Sequence, residues 1–365
     1  MEIDESKLGN CKKAYSFDEL LMLPGYAQMS PKDIDSSSSL DGIILKSPFL
    51  SAAMDTVTGP EMAIALGLSG GLGVIHRNCS TEEALEMLRK VKSFKIPENN
   101  PNATKDMKGR LAVGVAISSE VERAIAIAEE ADILFTDVAS FHNQKIFEAV
   151  KKIIQSTGKK IVIGNLGTEQ GILHAVKEIG SQNISGIKVG MGGGSICTTT
   201  DVTGVGSPVP FALEEATSAL RKLKLSIPII ADGGIRKPRD IAISFGLGAS
   251  FVMLGNMLAR CDESPGQKIE KDGKQYKVYW GMGSSEARAK RAALDRYQDS
   301  GKGKDIAEGI KIHVESEGPV SDMVEKLTSA LKTSMGYVGA RNVYEMGAKA
   351  NFAIIRPKEE KKGVE

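Results

Sequence analysis

Eight short apolar runs, each followed by an amphipathic stretch, constrain this chain more than any other feature. The runs, rich in Val, Ile, Leu and Phe, occupy residues 48–54, 72–76, 111–117, 133–137, 160–165, 186–191, 227–232 and 249–255. Short runs bounded by Gly, Pro or polar residues are the pattern of parallel strands buried on both faces. Helical periodicity covers residues 60–68, 81–91, 120–130, 144–154, 169–179, 211–223, 238–246 and 322–334. Ser80 and Thr81 are placed to cap the second of these helices. Eight alternating units fit an α/β chain folded as one (β/α)8 TIM barrel over residues 1–365. A doubly wound open sheet is the alternative that the same alternation admits.

Loop lengths then place the site, because the loops at the strand C-termini build it in such a barrel. The long ones follow the sixth and eighth strands, at residues 190–210 and 256–320. Within 257–320, Tyr279-Trp-Gly-Met-Gly-Ser284 introduces a polar, charged segment with little periodicity, which is either a flap or a plain surface excursion. A third long connection, 93–110, carries Pro97, Pro101 and several Asn, and is a linker by composition.

Charge and cysteine usage exclude several classes. Lys and Arg number 47 against 46 Asp and Glu, so nothing draws the chain generally to nucleic acid or an anionic membrane. No apolar run approaches the ~20 residues of a membrane span. Residues 1–13 lack the apolar core of a signal peptide. Cys11, Cys79, Cys197 and Cys261 show no paired spacing, which argues against a zinc site and for a reducing cytoplasm.

The densest chemical signal is Lys188-Val-Gly-Met-Gly-Gly-Gly-Ser-Ile-Cys-Thr-Thr-Thr200. Its glycines can wrap an anion or turn carbonyls toward a cation. Cys197 follows them with hydroxyls on both sides, poor material for a core, and a nucleophile is the reading preferred over a structural thiol. The run is no Rossmann fingerprint, since Ser195 stands where the third glycine would be. Ala231-Asp-Gly-Gly234 and Leu254-Gly-Asn256 end the seventh and eighth strands, where barrels often bind phosphate. Asp232 could accept from ribose hydroxyls or simply hold a turn. In the flap, the Arg296-Tyr297 pair is either a surface feature or a group that activates water, a neutral Arg being a strong base.

Taken in order, these motifs resemble the IMP dehydrogenase/GMP reductase family over nearly the whole chain. Tyr15-Ser-Phe-Asp-Glu is similar to its N-terminal entry, Ser51-Ala-Ala-Met-Asp-Thr-Val57 to its first-strand loop, and Gly73-Val-Ile-His-Arg-Asn78 follows. Gly194-Ser-Ile-Cys-Thr-Thr, Thr203-Gly-Val-Gly206 and Ile230-Ala-Asp-Gly-Gly-Ile-Arg236 resemble its central motifs. Glu263-Ser-Pro-Gly266 and Gly281-Met-Gly-Ser284 complete the set.

The resemblance implies roles. Cys197 would attack C2 of hypoxanthine, hydride would pass to NAD+, and the thioimidate would be hydrolysed to XMP. Thr199 matches a hydroxyl assisting the thiol and water, with Arg296 and Tyr297 as the water-activating pair. Ser195, Gly234, Gly255, Asn256 and Tyr279 match the phosphate region, and Asp232 the ribose contact. Gly281, Met282 and Glu308 match the surroundings of the base. Asp137 and Asn165, with Gly190 and Gly192 beside them, match the cofactor side. The carbonyls of Gly190, Gly192 and Cys197 match a potassium loop. A homotetramer binding a small purine nucleotide is implied, and the linker 93–110 stands where many members insert paired CBS domains.

The family's two branches share the nucleophile. Leu294-Asp-Arg-Tyr297 and Ser300-Gly301 favour the dehydrogenase over the reductase, which releases ammonia from GMP and needs no hydrolysis. Asp137-Val-Ala and Ser284-Ser-Glu286 are closer to the reductase. Thr200-Asp201 departs from an arginine common to both branches, Ala52 replaces a serine, and Phe141 interrupts a glycine-containing turn. A non-catalytic purine-nucleotide binder is the third reading, set against the presence of Cys197, Thr199 and Arg296 together.

Overall fold

The computed structural model describes residues 11–27, 29–289 and 307–355. Its centre is one eight-stranded sheet made of β1 (Phe49–Ser51), β2 (Val74–Ile75), β3 (Gly114–Ile117) and β4 (Ile133–Thr136), continuing with β5 (Ile161–Leu166), β6 (Ile184–Val189), β7 (Ile229–Asp232) and β8 (Phe251–Leu254). Every pairing in it is parallel. The sheet closes between β1 and β2, where Leu50 bridges Leu72. Leu72 N–H donates to Phe49 O at 3.0 Å, and Ser51 N–H to Leu72 O at 3.1 Å. The open-sheet alternative is thereby set aside.

All residues of β3, β4, β6 and β8 are buried, which is why these strands are continuous apolar runs rather than alternating ones. Ladders are shorter than the apolar runs in places. Ala52 and Ala53 stay buried but leave β1, because Met54 N–H and Thr58 Oγ1 fold back onto Ala52 O at 2.8 and 2.6 Å.

The helices α1 (Pro60–Leu68), α2 (Thr81–Ser93), α3 (Val121–Ala128) and α4 (Gln144–Thr157) follow their strands in turn. So do α5 (Glu169–Ile179), α6 (Val209–Leu223), α7 (Pro238–Gly246) and α8 (Val320–Val338). Pro at the first helical turn starts α1 and α7, where its missing N–H is no loss. α2 begins on a capping box: Ser80 Oγ accepts from Glu83 N–H, and the Glu83 carboxylate accepts from Ser80 N–H. α8 outruns its expected range at both ends, starting after Pro319 and stopping at left-handed Gly339.

Three additions were not foreseen. The hairpin Ser38–Leu40/Ile43–Leu45, turned by Asp41 and Gly42 at positive φ, brings fully buried Leu40 against β6. Leu20–Leu23 pairs antiparallel with Asn351–Ile354, so the two ends of the described chain are tied together. Among the described residues, part of the 257–320 segment is β structure. Lys268–Lys271, Lys274–Trp280 and Lys311–Glu315 form a three-stranded antiparallel sheet, although the sequence of this segment shows little periodicity. Its Asp272-Gly273 turn is a recognised hairpin signal, but the third strand comes from far along the chain. Among the described residues, no helix is long and apolar enough to cross a membrane.

Candidate active site

The strand C-termini surround an open cleft. Its walls hold the long loop after β6, the glycine turns after β7 and β8, and the base of the flap. Cys197, Thr199, Ser195, Asp232, Gly234, Gly255, Asn256, Tyr279, Gly281, Met282, Glu308, Asp137, Asn165, Gly190 and Gly192 all line it. Arg296 and Tyr297 lie outside the described residues.

The loop after β6 is shaped by close backbone approaches. Gly190 has φ +112°, and a Cβ there would stand 2.4 Å from Asp232 O. Thr200 seats its methyl where a Cβ on Gly192 or Gly206 would be, 2.5 and 2.2 Å away. The residue that departs from the arginine pattern is therefore part of the loop's packing, while Asp201 beside it is exposed. Cys197 N–H closes the turn onto Gly194 O at 3.0 Å.

Backbone hydrogen bonds stitch this loop to the flap. Thr198 N–H donates to Glu308 O at 3.2 Å, and Ile310 N–H to Ile196 O at 3.0 Å. The side chains then form a chain of three. Cys197 Sγ lies 3.2 Å from Thr199 Oγ1, which donates to Glu308 Oε2 at 2.8 Å. Such a thiol–hydroxyl–carboxylate sequence can carry a proton away from the thiol or from water beside it.

On the far side of the loop, Asn256 Nδ2 donates to Ser195 Oγ at 3.3 Å. Burial pushes the Tyr279 phenol up, against a hydrogen bond with Ser195 that pulls it down. Tyr279 is thus a neutral donor at physiological pH, directed at the Gly255 turn. Asp240 Oδ2 accepts from the N–H groups of Arg236 and Lys237 at 2.9 Å each, fixing the start of α7 beside Gly233-Gly234. Ser195, Tyr279 and these turns together make a donor-rich pocket end suited to an anion.

Several residues of the site were not assigned from the sequence. Lys188 Nζ bonds Asp232 Oδ2 at 2.8 Å and also reaches Asn165 Oδ1. Arg77 Nε donates to Asp137 O at 3.0 Å and Oδ2 at 3.3 Å, so a buried cation holds that carboxylate in the wall. Trp280 Nε1 donates to Asp55 Oδ1 at 2.8 Å, latching the flap to the turn after β1. The available signal was a charge set inside an apolar run, as at Lys188. Phe141 is fully buried against Phe147, and its N–H donates to Asn165 O, so it supports the site rather than interrupting it. Cys79 takes a 3.4 Å contact from Arg123, and Cys261 is buried with its thiol pushed up to about 12 by burial; neither lines the cleft.

Comparison with known proteins agrees with this geometry. The model of the IMP dehydrogenase / GMP reductase domain matches residues 14–362. An inosine-5′-monophosphate dehydrogenase of Korarchaeum cryptofilum is 35% identical, covering 94% of this chain and 94% of its own. Its namesake in Methanocaldococcus jannaschii is 34% identical over 96% and 94%. That of Cryptosporidium parvum is 36% identical over 95% and 93%. A closed parallel barrel, a glycine loop carrying Cys197, and a flap bonded to that loop stand in one chain with this match: it belongs to the IMP dehydrogenase/GMP reductase family.

Proposed function

We propose that the chain oxidises IMP to XMP with NAD+. The observation that carries this reading is the Cys197–Thr199–Glu308 sequence of hydrogen bonds at the cleft. The Cys197 thiolate adds to C2 of the hypoxanthine. Bound NAD+ would accept the hydride that leaves C2. Water then adds to the thioimidate carbon, and the C–S bond breaks to release XMP and the thiol. Thr199 and Glu308 would take the protons released, and Arg296 with Tyr297 would act on the same water from the flap.

The nucleotide would place its phosphate among Ser195, Tyr279, Asn256, Gly234 and Gly255, its ribose on Asp232, and its base against Gly281 and Met282. A carboxylate clamped by Arg77 at the cleft wall suits a ribose diol, so Asp137 and Asn165 would hold the nicotinamide riboside of NAD+. The carbonyls of Gly190, Gly192 and Cys197 would hold potassium, a cation matched to rings of backbone oxygens. Gly190 O already accepts from Asn165 Nδ2 at 2.8 Å, so that carbonyl is fixed in direction.

The same reading includes a homotetramer in a reducing cytoplasm. Exposed Leu21, Leu23, Tyr337 and Ile354 supply apolar surface for association. Segment 93–110 would stand in place of a CBS pair, so regulation through that module is not part of the reading. The test is the near-ultraviolet absorbance of NADH with IMP, NAD+ and potassium, beside GMP with NADPH. A rise with IMP that Cys197→Ala abolishes is expected. A fall with GMP and NADPH would move the chain to the reductase branch, and silence in both would leave only nucleotide binding.

A further inference from the structure

Lys188 is a buried cation that the reaction scheme leaves unused. It sits near the end of β6, just before the loop that carries Cys197, with 3% of its surface exposed. Burying an ammonium is costly unless it is paired and hydrogen-bonded, so its partners indicate its purpose. Nζ donates to Asp232 Oδ2 at 2.8 Å and to Asn165 Oδ1. Asn165 in turn directs Nδ2 to the same Asp232 oxygen at 3.0 Å and to Gly190 O at 2.8 Å.

An ammonium can only donate. With Lys188 beside it, the Asn165 amide must present its oxygen to Nζ and its nitrogen to Asp232 and Gly190. Two donors therefore converge on Asp232 Oδ2. Among the described residues no side chain donates to Oδ1, and the Asp232 side chain is still 20% exposed to the cleft.

We propose that Lys188 is the positioning residue for ribose recognition. It pins Asp232 by one oxygen so that the other faces the nucleotide diol, and through Asn165 it ties that carboxylate to the root of the Cys197 loop. Lys188 itself touches no substrate in this arrangement. The inference rests on the purine-nucleotide reading of the cleft, and it adds a residue outside the sequence motifs' assigned roles.

The test is calorimetric binding of IMP and of 2′,3′-dideoxyinosine monophosphate to the full chain, with NADH formation measured in parallel. Wild type should prefer IMP. Lys188→Met, which keeps the length and loses the charge, should bind IMP about tenfold more weakly, the scale of one charged hydrogen bond. It should bind the dideoxy analogue within about twofold of wild type. Lys188→Arg should keep the preference for IMP. Equal weakening of both nucleotides, or an unchanged preference in Lys188→Met, overturns the proposal. If Lys188→Met does not fold, Lys188→Gln decides: a narrowed preference supports the proposal and a retained one overturns it. Wild type that discriminates the nucleotides without forming NADH sinks the dehydrogenase reading alone. Wild type that binds neither sinks both.

Discussion

Thr199 and Glu308, 109 residues apart in sequence, are joined by a 2.8 Å hydrogen bond that ends a hydrogen-bonded chain starting at the Cys197 thiol. Glu308 was expected only as a neighbour of the base, and its bond to Thr199 is what motivates the proton-accepting role proposed for it. Glu308→Gln keeps an acceptor for the Thr199 hydroxyl but removes the carboxylate that can take a proton. Steady-state NADH formation should fall by about ten- to a hundredfold, toward the lower end of what a positioned base contributes. A rate within about twofold of wild type would show that the protons leave by another route.

Gly190 tests the backbone rather than the side chains. Its φ of +112° is one that residues with a Cβ rarely adopt, and a Cβ there would meet Asp232 O at 2.4 Å and Val209 Cγ2 at 2.7 Å. Gly190→Ala should cost about 2 kcal/mol or more of stability and weaken nucleotide binding by displacing Asp232. Urea unfolding and calorimetry measure the two. A neutral result in both would mean that the loop tolerates a different path.

Trp280 is the chain's single tryptophan, and it sits in sequence between the cleft-lining residues Tyr279, Gly281 and Met282. Its indole N–H is held by Asp55, which also accepts from Asn78 Nδ2 at 2.8 Å. Its emission should therefore change when IMP binds, with saturation matching the calorimetric affinity. Asp55→Ala should reduce that change, because it releases the indole from the turn after β1. Emission indifferent to saturating IMP would show that the flap base does not respond to the nucleotide.

The barrel was legible because its strands are buried on both faces, so each is a local apolar run that needs no knowledge of its neighbours. α5 and α7 end where their caps and glycines lie, and their expected ranges match. The glycine loop and Cys197 were legible for the opposite reason, being composition unsuited to a core. Contacts between distant segments were not. Lys188 meets Asp232 across 44 residues, and Asn165 meets Asp232 across 67. Parallel strand pairing, which no local pattern encodes, brings β5, β6 and β7 side by side. The flap sheet was missed for a related reason: Lys274–Trp280 borrows its second neighbour from Lys311–Glu315, and its polar outer residues leave little periodicity to see.

Lys92 offers a test at the opposite end of the barrel, where helices lead back into strands. Its side chain is 5% exposed, and Nζ donates to Asp106 Oδ2 at 2.9 Å, Asp132 Oδ2 at 2.5 Å and Leu111 O at 3.0 Å. It thereby clamps the 93–110 connection onto the entrances of β3 and β4. Burial alone would raise the Asp106 carboxyl, but hydrogen bonds from Lys92 and from the N–H groups of Arg110 and Lys108 bring it down to about 2. A folded value below the unfolded one, near 3.9, gives stability that is present above about pH 4 and lost as pH falls toward 2. Lys92→Met takes this buried cation from both carboxylates, leaving Asp106 with Arg110, and should cost about 3–5 kcal/mol in urea unfolding near neutral pH. Asp106→Asn should be less stable than wild type near neutrality, and the difference should shrink as pH drops through the window from 4 to 2. Because the clamp faces away from the Cys197 loop, both variants should keep wild-type nucleotide affinity wherever they are folded. A pH-independent deficit in Asp106→Asn would show that the segment is held by packing and backbone bonds instead of by this charge.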